Sequence, residues 1–293
     1  MMKRTNGEKI FTVINTLFLI IFTICMIYPV IYVAAASFSA PDEINMGNVW
    51  ILPKGFTTEA YKAMFKQTGV VQAYMNSILY LTVGSFVQIF VTVCGAYPLS
   101  RKDLPGRKFF NFAVILTMWL NPGLIPTYLN FNDLGILNTR IGYIIGFACG
   151  AYNFVILRSF FESIPDALEE AAKLDGASDV YILLKIFIPL SMSAIATAWL
   201  FYAVSRWNGY FWGMLFFKDD AKMPLQVLLR TLVVEMSGKS QLAGSNVDMS
   251  QIKTSEENVT YATIIITVLP MLIIYPYIQK FFVKGVMIGS VKG

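Results

Sequence analysis

Long apolar runs separated by short charged connections set the reading of this chain. Six runs, at about residues 10–37, 73–99, 109–129, 141–157, 186–204 and 259–279, contain no Lys, Arg, Asp or Glu. Each lies near the roughly 20 residues that a helix needs to cross a hydrocarbon core of about 30 Å. The pattern predicts an all-α, polytopic membrane protein of six transmembrane helices forming a single domain over residues 1–293, with the fourth run the weakest. Two longer segments, 38–72 and 205–258, separate runs. The second is rich in Gly, Ser, Asn and Gln between Ser237 and Ser255, which predicts an exposed loop made pliable by Gly238, Gly244 and Ser245. Loops beyond about 12–15 residues are usually functional or disordered.

Composition sharpens the class. Of 293 residues 56% are hydrophobic and only 14% charged, against about 25% charged in soluble domains, so a soluble enzyme is excluded. No histidine is present, which removes imidazole metal sites, Ser/His/Asp triads and histidine proton relays. Cys25, Cys94 and Cys149 fall in apolar runs without CxxC spacing, giving neither a disulfide framework nor a zinc site. The expectation is no catalytic residue, no metal and no cofactor. The net charge of +5 is spread over the flanks of the runs without a basic stripe, so nucleic-acid binding has no support.

Charge placement predicts orientation. Lys3, Arg4 and Lys9 precede the first run, Arg101, Lys102, Arg107 and Lys108 crowd the connection after the second, and Lys280, Lys284 and Lys292 follow the last. The positive-inside rule puts all three segments in the cytoplasm. Both termini are then cytoplasmic, as is the connection from Arg158 to Lys185, while 38–72 and 205–258 are external. The first run is too long for a signal-peptide core and continues through Tyr28 and Pro29 to Ser37 without a small-residue cleavage site, so it reads as a retained membrane helix.

The connection 158–185 holds the informative stretch, Ser163-Ile-Pro-Asp-Ala-Leu-Glu-Glu-Ala-Ala-Lys-Leu-Asp-Gly176. Ser163 with Asp166 predicts a capping-box-like start and Gly176 a stop near Asp175. Between them lies a short helix at about 163–176, with Leu168, Ala171 and Ala172 on one side and Asp166, Glu169, Glu170 and Lys173 mostly on the other. Glu170-Ala171-Ala172, Gly176, Ile186 and Ile188-Pro189 stand at the spacing of the EAA motif, and the segment resembles that of permease subunits of binding-protein-dependent ABC importers. Ile188 replaces the usual Leu before the proline. The resemblance implies a coupling helix that fits a cleft in an ATPase subunit. Glu170 would offer its carboxylate, Ala171 and Ala172 the close contact, Asp175 and Gly176 the helix end and turn, and Pro189 the return to the membrane.

Tyr97-Pro-Leu-Ser-Arg101-Lys-Asp-Leu-Pro-Gly106, Gly123-Leu-Ile-Pro126, Leu134-Gly-Ile-Leu-Asn-Thr-Arg140, Trp207-Asn208 and Phe282-Val-Lys284-Gly285 extend the likeness to carbohydrate permeases of the maltose MalG type. Within these they are similar to the branch for complex or polysaccharide-derived oligosaccharides. Asn121-Pro122 departs from the small-residue pair usual before Gly123. The resemblance implies the type I ABC importer permease fold in the bacterial cytoplasmic membrane and an oligosaccharide substrate. Its implied partners are a second permease in a heterodimeric pore, two ABC ATPase subunits and an extracytoplasmic sugar-binding protein. It also implies that the tail from Lys280 reaches the ATPases and that the loop before the last span touches the binding protein. Gly238-Lys239-Ser240 lacks the first P-loop glycine, since position 233 is Val233, so the energy source is a separate protein.

Residues suited to a sugar path flank the runs: Tyr128, Asn153, Tyr202, Arg206, Trp207 and Asn208. Interfacial aromatic belts explain the Trp and Tyr equally well, and helix-to-helix hydrogen bonding explains polar residues such as Asn76, Gln88 and Asn153. The alternative of an ion-coupled secondary transporter calls for intramembrane carboxylates or inverted repeats of broken helices. An intramembrane enzyme calls for a nucleophile or metal ligands at membrane depth. The runs show neither carboxylates nor inverted repeats, and none contains the carboxylate pair or Lys that enzyme chemistry without His would require.

Overall fold

All regular structure is helical over residues 5–66, 69–242 and 250–289, the part of the chain that the computed structural model describes. Lys3, Arg4, Gly244, Ser245 and Lys292, used above, lie outside the described residues. The chain divides into one unit of Met1–Thr68 with Leu229–Leu269 and another of Gly69–Leu228 with Pro270–Gly293.

In the first unit α1 (Asn6–Ser37) starts on a capping box, in which Glu8 N donates to Thr5 Oγ1 and Thr5 N to Glu8 Oε2. It stays exposed from Gly7 to Ile31, as suits a helix whose apolar face is all-round. Its end is buried: Ala35 and Ala36 pack with Ile44 of α2 (Pro41–Asn45), Val49 and Tyr261. Ser37 Oγ meets Tyr61 OH of α3 (Glu59–Lys66) at 2.8 Å, and Asn258 Nδ2 donates to Ser39 O at 2.9 Å.

The second unit begins with α4 (Val70–Leu79), a π-helical turn at Tyr80–Gly84 and α5 (Ser85–Ser100). There follow α6 (Arg107–Trp119), α7 (Leu124–Asp133), α8 (Arg140–Ile145), α9 (Ala151–Glu162) and α10 (Asp166–Leu174). After α11 (Asp179–Ile182), a second π turn, Leu183–Phe187, leads into α12 (Ile188–Leu190), α13 (Met192–Trp207) and α14 (Tyr210–Phe216). Its core lies where α5, α9 and α13 pack, around Ile89, Val93, Ala96, Phe154, Leu157, Ala198 and Tyr202. Gly95 makes this close approach possible, because a Cβ there would stand 2.7 Å from the Phe154 ring. The two remaining helices, α15 (Leu225–Leu242) and α16 (Ser250–Gly289), each run from one unit into the other.

Among the described residues three helices are long and apolar enough to cross a membrane: Gly7–Ser37, Val70–Ser100 and Glu257–Pro276. Two bent pairs meet the same test together, α6 with α7 at 118° and the helix Asp179–Leu190 with α13 at 83°. The runs expected at 109–129 and 186–204 are thus broken rather than straight. Pro122 cannot continue a helix ladder, Asn121 Oδ1 accepts from Gly123 N, and Gly123 takes φ 83°, so the α6–α7 break falls on the residues that depart from the family pattern. The second bend follows the π turn and Pro189, both recognised causes of kinks. The run at 141–157 is also two pieces, α8 and α9, around non-helical Gly146–Gly150. The expectation of a loop over 205–258 needs correction: α13 continues to Trp207, α14 and α15 occupy much of the segment, and α16 starts at Ser250. Polar composition over Ser237–Ser255 suggests a loop, but the stretch from Leu225 to Met236 is rich in the good helix formers Leu, Gln, Arg, Glu and Met.

Candidate coupling surface and membrane-side network

The short helix after Glu162 is α10, and its two ends form differently from each other. Ser163 does not cap it, since its hydroxyl donates back to Phe160 O at 2.7 Å and the cap position is Pro165, with no side-chain cap. This corrects the capping-box expectation: Pro165, which has no side-chain acceptor, rather than Ser163 stands before the first helical residue. At the other end Gly176 N donates to Lys173 O and Ala177 N to Ala172 O, both at 3.0 Å, with Gly176 at φ 79°. These two bonds are the Schellman closure, which requires the left-handed conformation that glycine adopts without strain.

The expected apolar side of α10 is split: Leu168 and Ala171 are exposed, as is Glu170, while Ala172 turns partly inward. Glu169 is buried and Ala172 is half-buried against the core, whereas Leu168 and Leu174 are exposed, Leu174 by 90%. Ala167, Glu170, Ala171 and Leu174 form the outward stripe at i, i+3, i+4 and i+7. Glu169 turns inward because a guanidinium waits there. Arg101, just past α5, donates from one terminal nitrogen to Glu169 Oε2 at 2.6 Å and from the other to Phe161 O at 3.0 Å. Its Nε donates to Ser100 Oγ, and its carbon sits 4.3 Å from the Phe187 ring centroid.

Further ion pairs join the same two segments. Lys102 pairs with Asp166 at 2.6 Å, Arg107 with Glu162, and Lys173 with Glu169 at 2.7 Å and with Asp103 at 3.8 Å. A cavity of about 410 Å³ lies beside them, lined in part by Tyr97, Pro98, Leu104, Val180 and Leu183. The exposed pairs contribute little individually, but Arg101 and Glu169 have side chains only 10% and 11% exposed, and removing one partner of such a buried pair costs about 3–5 kcal/mol. The α5–α6 turn is thus a cradle that holds α10 from behind and leaves Glu170, Ala171 and Leu174 outward.

Charge states here move away from neutrality. The Lys102 ammonium bonded to Asp166 holds that carboxyl below its ordinary 3.8, and the carboxylate of Glu169 raises Lys173 above 10.5. The Asp166 contribution is present above the unfolded pKa and lost only as pH falls through its lowered value; that of Lys173 is present below 10.5 and lost as pH rises through the raised one. With no histidine in the chain, the melting midpoint of the purified permease in detergent should stay flat from pH 6 to 8, which a fluorescence melt checks.

The residues expected along a sugar path fall into two groups. Tyr202, Arg206 and Trp207 are buried in the second unit and engaged there: Tyr202 OH meets Thr92 Oγ1 at 2.7 Å, Arg206 binds backbone carbonyls and Gln88, and Trp207 packs edge-on against Tyr74. Asn208 is exposed and Tyr128 half-buried, while Asn153 is buried with its Oδ1 lacking a hydrogen-bond partner. The sequence reading had no place for Arg101, Asp103, Gln88 or Thr92 in a site. Arg101 and its neighbours mark cytoplasmic charge and part of the family-like stretch Tyr97–Gly106, and nothing local signals a partner 68 residues away.

Comparison with known proteins places this geometry. The model of the family described as binding-protein-dependent transport system inner membrane component matches residues 6–288. A polygalacturonan/rhamnogalacturonan transport system permease protein, YtcP of Bacillus subtilis, is 39% identical over 98% of this chain and 99% of its own. Protein LplC of the same organism is 39% identical over 100% and 98%. A chain of a bacterial ABC transporter that imports the acidic polysaccharide alginate, known from its crystal structure, superposes with a TM-score of 0.88 at 38% identity, covering 96% of this chain and 100% of that one. These likenesses set aside the ion-coupled and enzyme readings and place the chain in the cell membrane, where such permeases work with a second permease, an ATPase and a substrate-binding protein. The chain belongs to the family of binding-protein-dependent transport system inner membrane components, the permease subunits of ABC importers.

Proposed function

We propose that this permease imports oligosaccharides released from polysaccharides, as one half of a heterodimeric pore served by two ATPase subunits and an external sugar-binding protein. The observation that carries the coupling half of this reading is the outward stripe of α10. A helix pinned from behind by Arg101 that exposes Leu174 by 90% beside Ala171 and Glu170 presents an apolar, closely approachable face to another protein. Polysaccharide-derived substrate is supported by two relatives, a polygalacturonan/rhamnogalacturonan transport permease and a chain of an alginate importer.

Our topology has six spans and cytoplasmic ends. Its segments are α1, α4 to α5, α6 with α7, α8 with α9, α11 to α13, and α16. Support comes from the charge-free runs at these places and from the positive-inside rule. Asn208, Tyr128 and Asn153 are the path residues whose polar groups are free of the Arg206 and Tyr202 networks. The test is uptake of a fluorescent oligogalacturonide by cells carrying the whole transporter, with and without a proton uncoupler and with a hydrolysis-dead ATPase. Uptake lost with the dead ATPase and retained with the uncoupler is expected. Uptake that follows the proton gradient instead overturns the coupling reading, and transport of other sugars but no uronate overturns the substrate.

A further inference from the structure

The break between α8 and α9 leaves backbone groups that no helix satisfies. In a span such groups are tolerated only when protein or a water-filled cavity satisfies them, and in many transporters broken helices are where substrate binds. Here two side chains of α13 take them, one helical turn apart. Arg206 donates to Tyr143 O and Ile144 O in the last turn of α8, both at 2.8 Å, and to Phe147 O within the break at 3.4 Å. Tyr202 accepts from Gly150 N at 3.2 Å, the cap residue of α9. Two residues of α5, also one turn apart, complete the pattern. Gln88 accepts from Arg206 Nε at 3.1 Å and donates to Phe147 O at 2.7 Å, while Thr92 joins Tyr202 OH at 2.7 Å and donates its own proton to Gln88 O.

Arg206 is 6% exposed and no carboxylate pairs with it among the described residues; its charge rests on carbonyl oxygens and on the faces of Tyr143 and Phe147, 5.5 and 5.7 Å from their centroids. Gly84, in the π turn at an ordinary helical φ of −63°, leaves the room: a Cβ there would come to 3.1 Å from Arg206 Nε.

We propose that Tyr202 and Arg206 are positioning residues for translocation. With Thr92 and Gln88 as matching rungs they clasp both ends of the α8–α9 break and fix its bend. That bend sets the rate of the transport step rather than the affinity for substrate. The proposal rests only on the chain being a permease, not on the sugar or on the coupling role of α10. It redirects two residues that sequence alone placed on the substrate path.

Cys149 lies in the break and is exposed, so it reports on the clasp. The experiment uses the complete transporter in proteoliposomes with Cys25→Ser and Cys94→Ser, and compares Arg206→Gln, Arg206→Lys, Tyr202→Phe and Gly84→Ala. Two readings are taken: alkylation of Cys149 by N-ethylmaleimide, and the dependence of uptake on the concentration of a fluorescent oligogalacturonide. Arg206→Gln removes hydrogen bonds from a charged donor, so it should lower maximal uptake at least about tenfold, leave half-saturation unchanged and speed alkylation. Arg206→Lys should recover part of both, and Gly84→Ala should reproduce a weaker form. Should Arg206→Gln fail to assemble, Tyr202→Phe and Gly84→Ala carry the same comparison. Half-saturation rising with maximal uptake unchanged would make these residues substrate contacts, and unaltered Cys149 reactivity in every variant would show that no clasp exists; either result overturns the proposal. The alkylation arm decides the matter even if the transporter does not carry oligogalacturonides.

Discussion

Arg101→Met should abolish ATP-driven uptake, because it removes the guanidinium that holds α10 and strands a buried carboxylate. Glu169 would keep Lys173 at 2.7 Å, but Lys173 is itself partly exposed and cannot replace donors aimed from the α5 side at both Glu169 Oε2 and Phe161 O. The cost of breaking a buried pair, about 3–5 kcal/mol, falls on the junction between α5, α9 and α10. Arg101→Lys keeps the charge, yet loses the second donor and the planar group stacked on Phe187, so we expect roughly tenfold weaker uptake rather than none. Replacing both partners, as Arg101→Met with Glu169→Leu, separates stability from coupling, since an apolar pair of similar volume is often as stable as the ionic one. The double variant should recover permease yield and ATPase activity in the complex while uptake stays low. Recovery of uptake along with yield would reduce the pair to a stability element.

The all-helical character is legible in local sequence, because the length and hydropathy of a run need no knowledge of the rest of the chain. The bends are not. At Asn121-Pro122-Gly123 the sequence does carry the signal, a proline followed by a glycine that adopts φ 83°, but averaging apolarity over 109–129 hides it. The bend at Ser191 follows local features, the π turn and Pro189, whereas the break at Gly146–Gly150 is held by distant partners, Arg206 and Tyr202. The facing of α10 shows the same limit in its sharpest form. Leu168, Ala171 and Ala172 mark one side of the isolated helix, yet the buried charge pair with Arg101 turns Glu169 inward and splits that side, leaving Leu168 and Ala171 exposed and Ala172 half-buried. Gly176, whose role depends only on neighbours in sequence, ends the helix as its position implies.

On the proposed coupling role of α10, Ala171 rather than Ala172 is the alanine presented to an ATPase. Ala172 packs against the permease's own core, so Ala172→Asp would bury a carboxylate there, next to Glu169, and should lower the yield of the permease itself. Ala171 and Leu174 face outward, Leu174 almost fully, and substitutions at such surface positions usually change stability by no more than about 0.5 kcal/mol. Ala171→Asp and Leu174→Asp should therefore leave insertion, yield and melting midpoint as in the natural chain. In the assembled transporter the same changes set an unpaired charge against a close apolar contact beside Glu170, and desolvating it there costs several kcal/mol. A loss of about 3 kcal/mol in the interface is more than a hundredfold in affinity, so the ATPase subunits should no longer co-purify and uptake should vanish. Measuring three quantities for the three variants decides the facing of the helix: permease yield alone, ATPase recovered on a tagged permease, and uptake. If Ala171→Asp and Leu174→Asp retain the ATPase and full uptake while Ala172→Asp folds normally and loses them, α10 meets its partner through the face that is turned inward here.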